Sequence, residues 1–549
     1  MEKINKKQAG IILLSLLSIN SFAQKIDNDS TLNRTVVVEQ EYNPDILDAS
    51  KINILPKVEE PTVAKKEIEY SIVSMPLSSF DTYQEMAPFT YPEKQQVAKR
   101  GFVRLGYGNY GNMDGKLNYL FRLSSKDQLG VAAGIDGMKG KLEFGDGKHR
   151  LHYYHSMAKI DYLHQFDRVD MDIAGRWGLS NFNYQPLAPL THQRFTSGDV
   201  HLGVKSTDEM LPVNFDVETN LLLFSRVHNW TGIGAEADKV NESRIYTKAN
   251  IKGNINEEQQ VGIALQMNNL FYTEGYQDNY TSLQLNPYYE FDNEDWKLHL
   301  GVNADLSLGL GQTVQVSPDI TVQYVFSDSY VLYVKATGGR QVNDFRKLEQ
   351  FCPYAELLKG EKIDNTYEQI NTSLGFRASP YPGVWFHLFG GYQNLKDDLY
   401  QLNDVLIGGV SSPFISIGQE NSSNVYGGAN ISYGYRDLLN ISAEGVYRHW
   451  NMSDEALFFK PAFLLNLKMD IHPLKALTVN VGYQYLQREK VVNERIASIN
   501  NLYAGATYDI YKGLSAYVKL DNLLNKQYSY YWSYPLEKFN FIAGISYRF

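Results

Sequence analysis

The sequence predicts an all-β chain, a transmembrane antiparallel up-and-down β-barrel of about 22 strands behind an extended N-terminal segment. Three observations point there. After Arg100, apolar and polar residues alternate at period two in one stretch after another. The connections between these stretches alternate between short and long. Past the first residues, no stretch reaches the roughly 18 consecutive apolar residues of a spanning helix. A chain of this kind can enter a membrane only as a closed barrel, because hydrocarbon offers no partner to a free strand edge.

The N-terminus carries an export pattern. Lys3, Lys6 and Lys7 precede the apolar run Ile11–Ile19, and Ser21-Phe22-Ala23 supplies small residues before a cut. We read residues 1–23 as a secretory signal peptide, with a mature chain starting near Gln24. The lone cysteine, Cys352, lies far from that cut and has no disulfide partner in the chain, so the reading includes no acylated N-terminal cysteine.

Glycine marks the next boundary. One of 42 glycines, Gly10, lies in the signal, and the other 41 begin at Gly101. Residues 24–99 have none, yet hold six of the 18 prolines, from Pro44 to Pro92. That composition predicts an extended periplasmic or lumenal segment with little core of its own. Residues 100–549 are then one barrel.

Within the barrel the alternation is explicit. In Lys116–Leu123, Leu117, Tyr119, Phe121 and Leu123 oppose Lys116, Asn118 and Arg122. Val169–Leu179, Val213–Leu223, Trp296–Leu306 and Leu477–Tyr485 repeat the scheme, each close to the length that a tilted strand needs to cross a bilayer. Short turns are expected at Ser124–Asp127, Gln165–Arg168, Asp292–Asp295, Ser327–Ser329, Arg436–Leu438, His472–Ala476 and Tyr511–Gly513. Longer polar connections are expected at Asp136–Arg150, Ser180–Thr191, Ser225–Asn241, Val342–Thr366 and Lys396–Ser423. Short periplasmic turns and long surface loops are the usual asymmetry of such barrels, so Lys126 is expected to face the periplasm and Asn229 the exterior.

The final strand has Phe539, Phe541, Ala543, Ile545, Tyr547 and Phe549 on one face and Asn540, Gly544, Ser546 and Arg548 on the other, with Ile542 the exception. It resembles the closing strand of bacterial outer-membrane barrels. That resemblance implies an assembly signal in Phe541, Tyr547 and Phe549, read by the barrel assembly machinery. Forty tyrosines with a negative mean hydropathy suit aromatic girdles around a polar lumen. A net charge of −10 with no basic run argues against nucleic acid as a partner.

A strand number near 22 and several local sequences resemble the TonB-dependent outer-membrane receptors. Lys519-Leu-Asp-Asn-Leu-Leu-Asn-Lys-Gln-Tyr528 is similar to the family's penultimate strand and loop, and Asn365-Thr-Tyr-Glu368 to a surface loop returning into a strand. Leu32-Asn-Arg-Thr-Val-Val-Val-Glu39 resembles a TonB box. The resemblance implies that Thr35, Val36, Val37 and Val38 pair with the TonB C-terminal domain by strand addition. It also implies uptake of a bulky nutrient, with a surface lipoprotein or a periplasmic protein as partner. The departure is the plug. Family members carry a glycine-rich plug domain of well over a hundred residues, whereas Gln24–Lys99 supplies 76 without a glycine. A 22-stranded barrel normally holds a plugged lumen. The threaded N-terminal segment, inward-folded loops or another protein are the means open to this chain. A transport-inactive scaffold barrel and a passive porin are therefore the other readings.

Catalysis has no sequence support. There is no G-x-S-x-G elbow, no H-E-x-x-H pair and no cysteine cluster. His152 and His155 fall on opposite faces of a strand, so with His149 they read as rim or girdle histidines rather than metal ligands. Gly145-Asp-Gly147 reads as a tight turn, and Cys352 as a loop or lumen thiol. No cofactor and no metal are expected.

Overall fold

The structure, a computed structural model, describes residues 99–549 apart from 145–146, 185–190, 209–210, 230–237, 328, 358, 408–409 and 490–496. Residues 1–98, with the signal peptide and Thr35–Val38, lie outside the described residues.

The chain after Arg100 forms one closed 22-stranded antiparallel sheet. The first strand, Gly101–Gly108, pairs with Met113–Arg122 on one side and with the last, Asn540–Arg548, on the other. At the join, the Gly101 N–H donates to Phe549 O at 2.8 Å and the Phe549 N–H to Gly101 O at 2.9 Å. Closure is thus complete to the last residue, and no edge is left open.

The pleat sorts side chains as the alternation predicts. Leu117, Phe121, Ile173, Trp177, Leu221 and Leu223 stand exposed on the outer face. On the closing strand, Phe541, Ile545, Tyr547 and Phe549 are likewise exposed, and Ile542 is buried. The expected short turns separate the strands Met113–Arg122 and Asp127–Phe144, Gly147–Gln165 and Val169–Asn183, and Leu439–Asn451 from its predecessor Val410–Tyr435. Lys126 and Asp167, on neighbouring turns, form an ion pair at 2.5 Å.

Two of the expected long connections are corrected. Asp136–Arg150 and Lys396–Ser423 are mostly strand, since the flanking strands run through Asp127–Phe144 with Gly147–Gln165 and Val384–Ile407 with Val410–Tyr435. These hairpins extend past the apolar band. Outside hydrocarbon the ladder needs no apolar face, so the alternation fades while backbone pairing continues.

Inside, glycines lie beneath tyrosines of the adjacent strand. Tyr333 covers Gly375, Tyr503 covers Gly482 and Tyr288 covers Gly262, each ring occupying the place of a Cβ. The tyrosine excess therefore serves the lumen wall as well as the outer girdles.

A polar lock crosses the join. Asp114 accepts from Arg104 at 2.9 Å and from Lys519 at 2.7 Å, and all three are buried. Tyr517 adds its hydroxyl at 3.3 Å.

The turn end of the join is aromatic. Phe549 stacks on Tyr547 with ring centroids 5.4 Å apart and on Tyr119 at 5.6 Å. Replacing Tyr547 and Phe549 with serine is expected to lower the heat-modifiable barrel in the outer membrane at least fivefold, as read by gel shift. Unchanged amounts would make both residues ordinary strand positions.

Candidate functional site

The chemistry of this barrel concentrates at its loop end, where the connection between Tyr330–Gln341 and Thr366–Tyr381 turns inward across the mouth. Its central element is a short helix, Phe345–Phe351. Asp344 caps that helix by accepting from the Lys347 N–H at 2.8 Å, and Pro353 cannot continue it. Phe345, Leu348 and Cys352 fall on one helical face and enter a cluster with Phe182, Phe195, Phe224, Ile415 and Ile417 from the walls. Burial in this cluster pushes the Cys352 thiol up to about 12, so it stays protonated and inert.

Three arginines of the wall or the loop fasten this body by charge. Arg244 donates to Asp344 at 2.7 Å, Arg346 pairs with Asp199, and Arg226 lies 3.3 Å from Glu356. Arg226 also donates to Ala355 O at 2.6 Å and to the Tyr184 hydroxyl at 2.9 Å. Arg226 and Glu356 are both buried, where a charge keeps its place only when paired.

Three side-chain amides do what a neighbouring strand would do. Asn229 donates to Leu357 O at 2.7 Å and accepts from the Leu357 N–H at 3.3 Å. Gln277 makes the same double contact with Ile363, at 2.7 and 3.1 Å. Gln419 does so with Asp364, at 2.8 and 2.7 Å. Buried backbone groups need partners, and these amides supply them where no ladder runs. Asn229 is therefore corrected: expected on an exposed connection, it is fully buried as a clamp.

A second loop body meets the first. The connection from Leu514–Asp521 to the closing strand carries the Asn-Leu-Leu-Asn sequence. Asn522 and Asn525 adopt φ of 49° and 52°, a region asparagine tolerates well. The Asn522 amide donates to Lys526 O at 2.6 Å and Glu537 O at 3.0 Å, while Asn525 accepts from the Phe539 N–H at 3.1 Å. The paired asparagines thus fold the loop back on itself. Arg488 holds it to the wall through Ser529 O at 2.7 Å and Tyr530 O at 3.1 Å. The two bodies touch through Tyr354, stacked on Tyr534 with centroids 3.5 Å apart and set edge-on to Tyr531 at 5.5 Å. Phe458, from the loop after Leu439–Asn451, adds a contact with Trp532 at 5.3 Å. Together they cap the mouth.

The residues singled out in the sequence lie elsewhere. Phe541, Tyr547 and Phe549 face outward at the join. His155 is buried against Ser180 at 3.1 Å, and His152 meets Asn181 at 3.3 Å on the opposite face, as the strand geometry requires. Among the described residues no group of three His, Cys, Asp or Glu side chains is placed to hold a metal ion. Of this cap the sequence shows outright only the length of the connection 342–366. Its fainter signals in the sequence are a capping aspartate before an apolar helix face and the strand arginines Arg226 and Arg244, whose partners lie about a hundred residues or more away.

No protein-family model matches this chain, and no curated protein does either. Solved structures do. A mutant of the ferric enterobactin receptor of Pseudomonas aeruginosa matches with a TM-score of 0.63 and 12% identity, over 83% of this chain and 81% of that one. The FrpB iron transporter of Neisseria meningitidis gives 0.62 and 10%, over 83% and 82%. The copper transporter OprC gives 0.62 and 12%, also over 83% and 82%.

Breaking the buried pair by Glu356→Ala is expected to cost about 3–5 kcal/mol of local stability. Amide exchange in 342–365 should accelerate accordingly, with the barrel melting transition unchanged. The terminal loop should respond to pH. Burial pushes the Glu537 carboxyl from 4.5 up to about 7, against a hydrogen bond from Asn112. A raised carboxyl favours the folded loop while protonated, so this hold is full below 4.5 and is lost as pH rises through about 7. Glu537→Gln should flatten the pH dependence of proteolysis within 522–539. At the level of fold, this chain is a closed 22-stranded barrel similar to the barrels of the TonB-dependent receptors.

Proposed function

We propose that this protein is an outer-membrane receptor-like barrel that admits a bulky nutrient through a mouth closed at rest by its own loops. The carrying observation is the cap, with buried ion pairs, amide clamps and a packed aromatic core across the loop end. A passive porin offers a standing channel, whereas this mouth needs work to open. An energised partner suits that demand, and the Thr35–Val38 segment is the element proposed to recruit it. Backbone hydrogen bonds from an added strand would supply affinity for the TonB C-terminal domain. The relatives in fold are named for ferric enterobactin, iron and copper, and a bulky iron or copper complex is the substrate class proposed here.

A second reading has its own support. The 76 residues of Gln24–Lys99 contain no glycine and are too few for the family's plug, which favours a barrel subunit or scaffold working with a surface lipoprotein or a periplasmic partner.

Coupling separates the two. With proline at Val36 and Val37, two backbone donors are lost and strand addition is blocked. A crosslink between a cysteine at Thr35 and the TonB C-terminal domain is expected in the parent and should fall at least tenfold in the proline variant, with barrel assembly intact. No crosslink in the parent would sink the coupled reading and leave the scaffold.

A further inference from the structure

The cap is built from two bodies of different attachment, and the difference locates where the mouth opens. The 342–365 body is held to its walls by Arg244–Asp344, Arg226–Glu356 and the amide clamps on Leu357, Ile363 and Asp364. It also continues the sheet locally, with Ala355 bridged to Ile415 and the Glu356 N–H donating to Ile415 O at 2.8 Å. The 522–539 body is held to the opposite side. Lys538 pairs with Glu143 at 2.7 Å, Arg488 donates to Ser529 and Tyr530, and Asn109 donates to Phe539 O at 3.0 Å while accepting from the Phe541 N–H at 2.7 Å.

Where the bodies meet, Tyr354 packs ring on ring with Tyr534 and Tyr531, and the buried Glu349 lies close enough to act on the Tyr531 hydroxyl. Stacked rings slide and part without breaking an ion pair or a backbone hydrogen bond. Pulling either body off its wall would break bonds of both kinds, and the groups they join are costly to orphan. We propose that the tyrosine seam between the two loop bodies is the solute entrance, opening while each body stays on its own wall. The seam then works as a pair of lips, and neither loop needs to unfold for solute to pass.

This inference rests on the reading that solute passes through the barrel, but its test does not depend on TonB. Lys335 stands exposed on the lumenal face, on the strand Tyr330–Gln341. In the full chain with Cys352→Ala and Lys335→Cys, a bulky membrane-impermeant maleimide added to intact cells reports access from outside. Labelling is expected to be slow, and at least tenfold faster once Tyr354→Ala and Tyr534→Ala remove the rings. Tyr354→Phe, which keeps the stack, should leave it slow. The same variants are also read with residues 24–99 deleted, so that an N-terminal segment in the lumen cannot shield the cysteine. Equal rates with and without the rings would overturn the proposal. So would faster labelling from Gln277→Ala than from the tyrosine pair, since the opening would then lie at the wall.

Discussion

Everything in this molecule follows from one constraint: a backbone in hydrocarbon must satisfy its own polar groups. A strand does so only with neighbours on both sides, and a sheet only by closing. Closure sends alternate side chains to lipid and to lumen, fixes the apolar face of Leu117, Trp177 and Leu223, and obliges the chain to return its last strand to its first. It also creates a problem. A closed barrel of this size surrounds a wide polar interior, a far larger hole than a small-solute channel unless something fills it.

The cap answers that problem by obeying the same rule away from lipid. Backbone that leaves the ladder still needs partners, and Asn229, Gln277 and Gln419 provide them with side-chain amides. The charges that enter with the loop are matched by arginines and carboxylates already on the wall. At the loop end, irregular chain thus finds in side-chain amides and ion pairs the partners that a strand finds in its neighbours.

The barrel was legible in the sequence because its determinants are local. A two-residue period shows within ten residues, and a turn such as Ser124–Asp127 announces itself. The glycine boundary at Gly101 and the asparagines of 522 and 525 were equally visible, though only the structure shows that both asparagines take left-handed backbone to fold the loop. What could not be read was long-range. Arg346 finds Asp199 across 147 residues and Asn229 finds Leu357 across 128. A single chain gives no sign of which arginine meets which carboxylate, so Asn229 read as a surface residue. Hairpins such as 127–165 outgrew their expected length for another reason: hydropathy marks the edge of the bilayer, not the end of hydrogen bonding.

The join between Gly101 and Phe549 carries a consequence for how this molecule comes into being. Every other barrel pairing links barrel strands that follow one another along the chain, so hairpins zip up locally and early. The join alone ties the chain end to end, and loop-closure entropy makes it the slowest contact to find. Until then the growing sheet has two bare margins, each able to recruit a foreign strand. The Arg104–Asp114–Lys519 cluster straddles that join, and none of its bonds to Lys519 can exist beforehand. It behaves as a clasp that fastens only on a correctly registered circle, since a slip of one residue would turn Lys519 toward lipid. Quality control is thereby written into the last bond made.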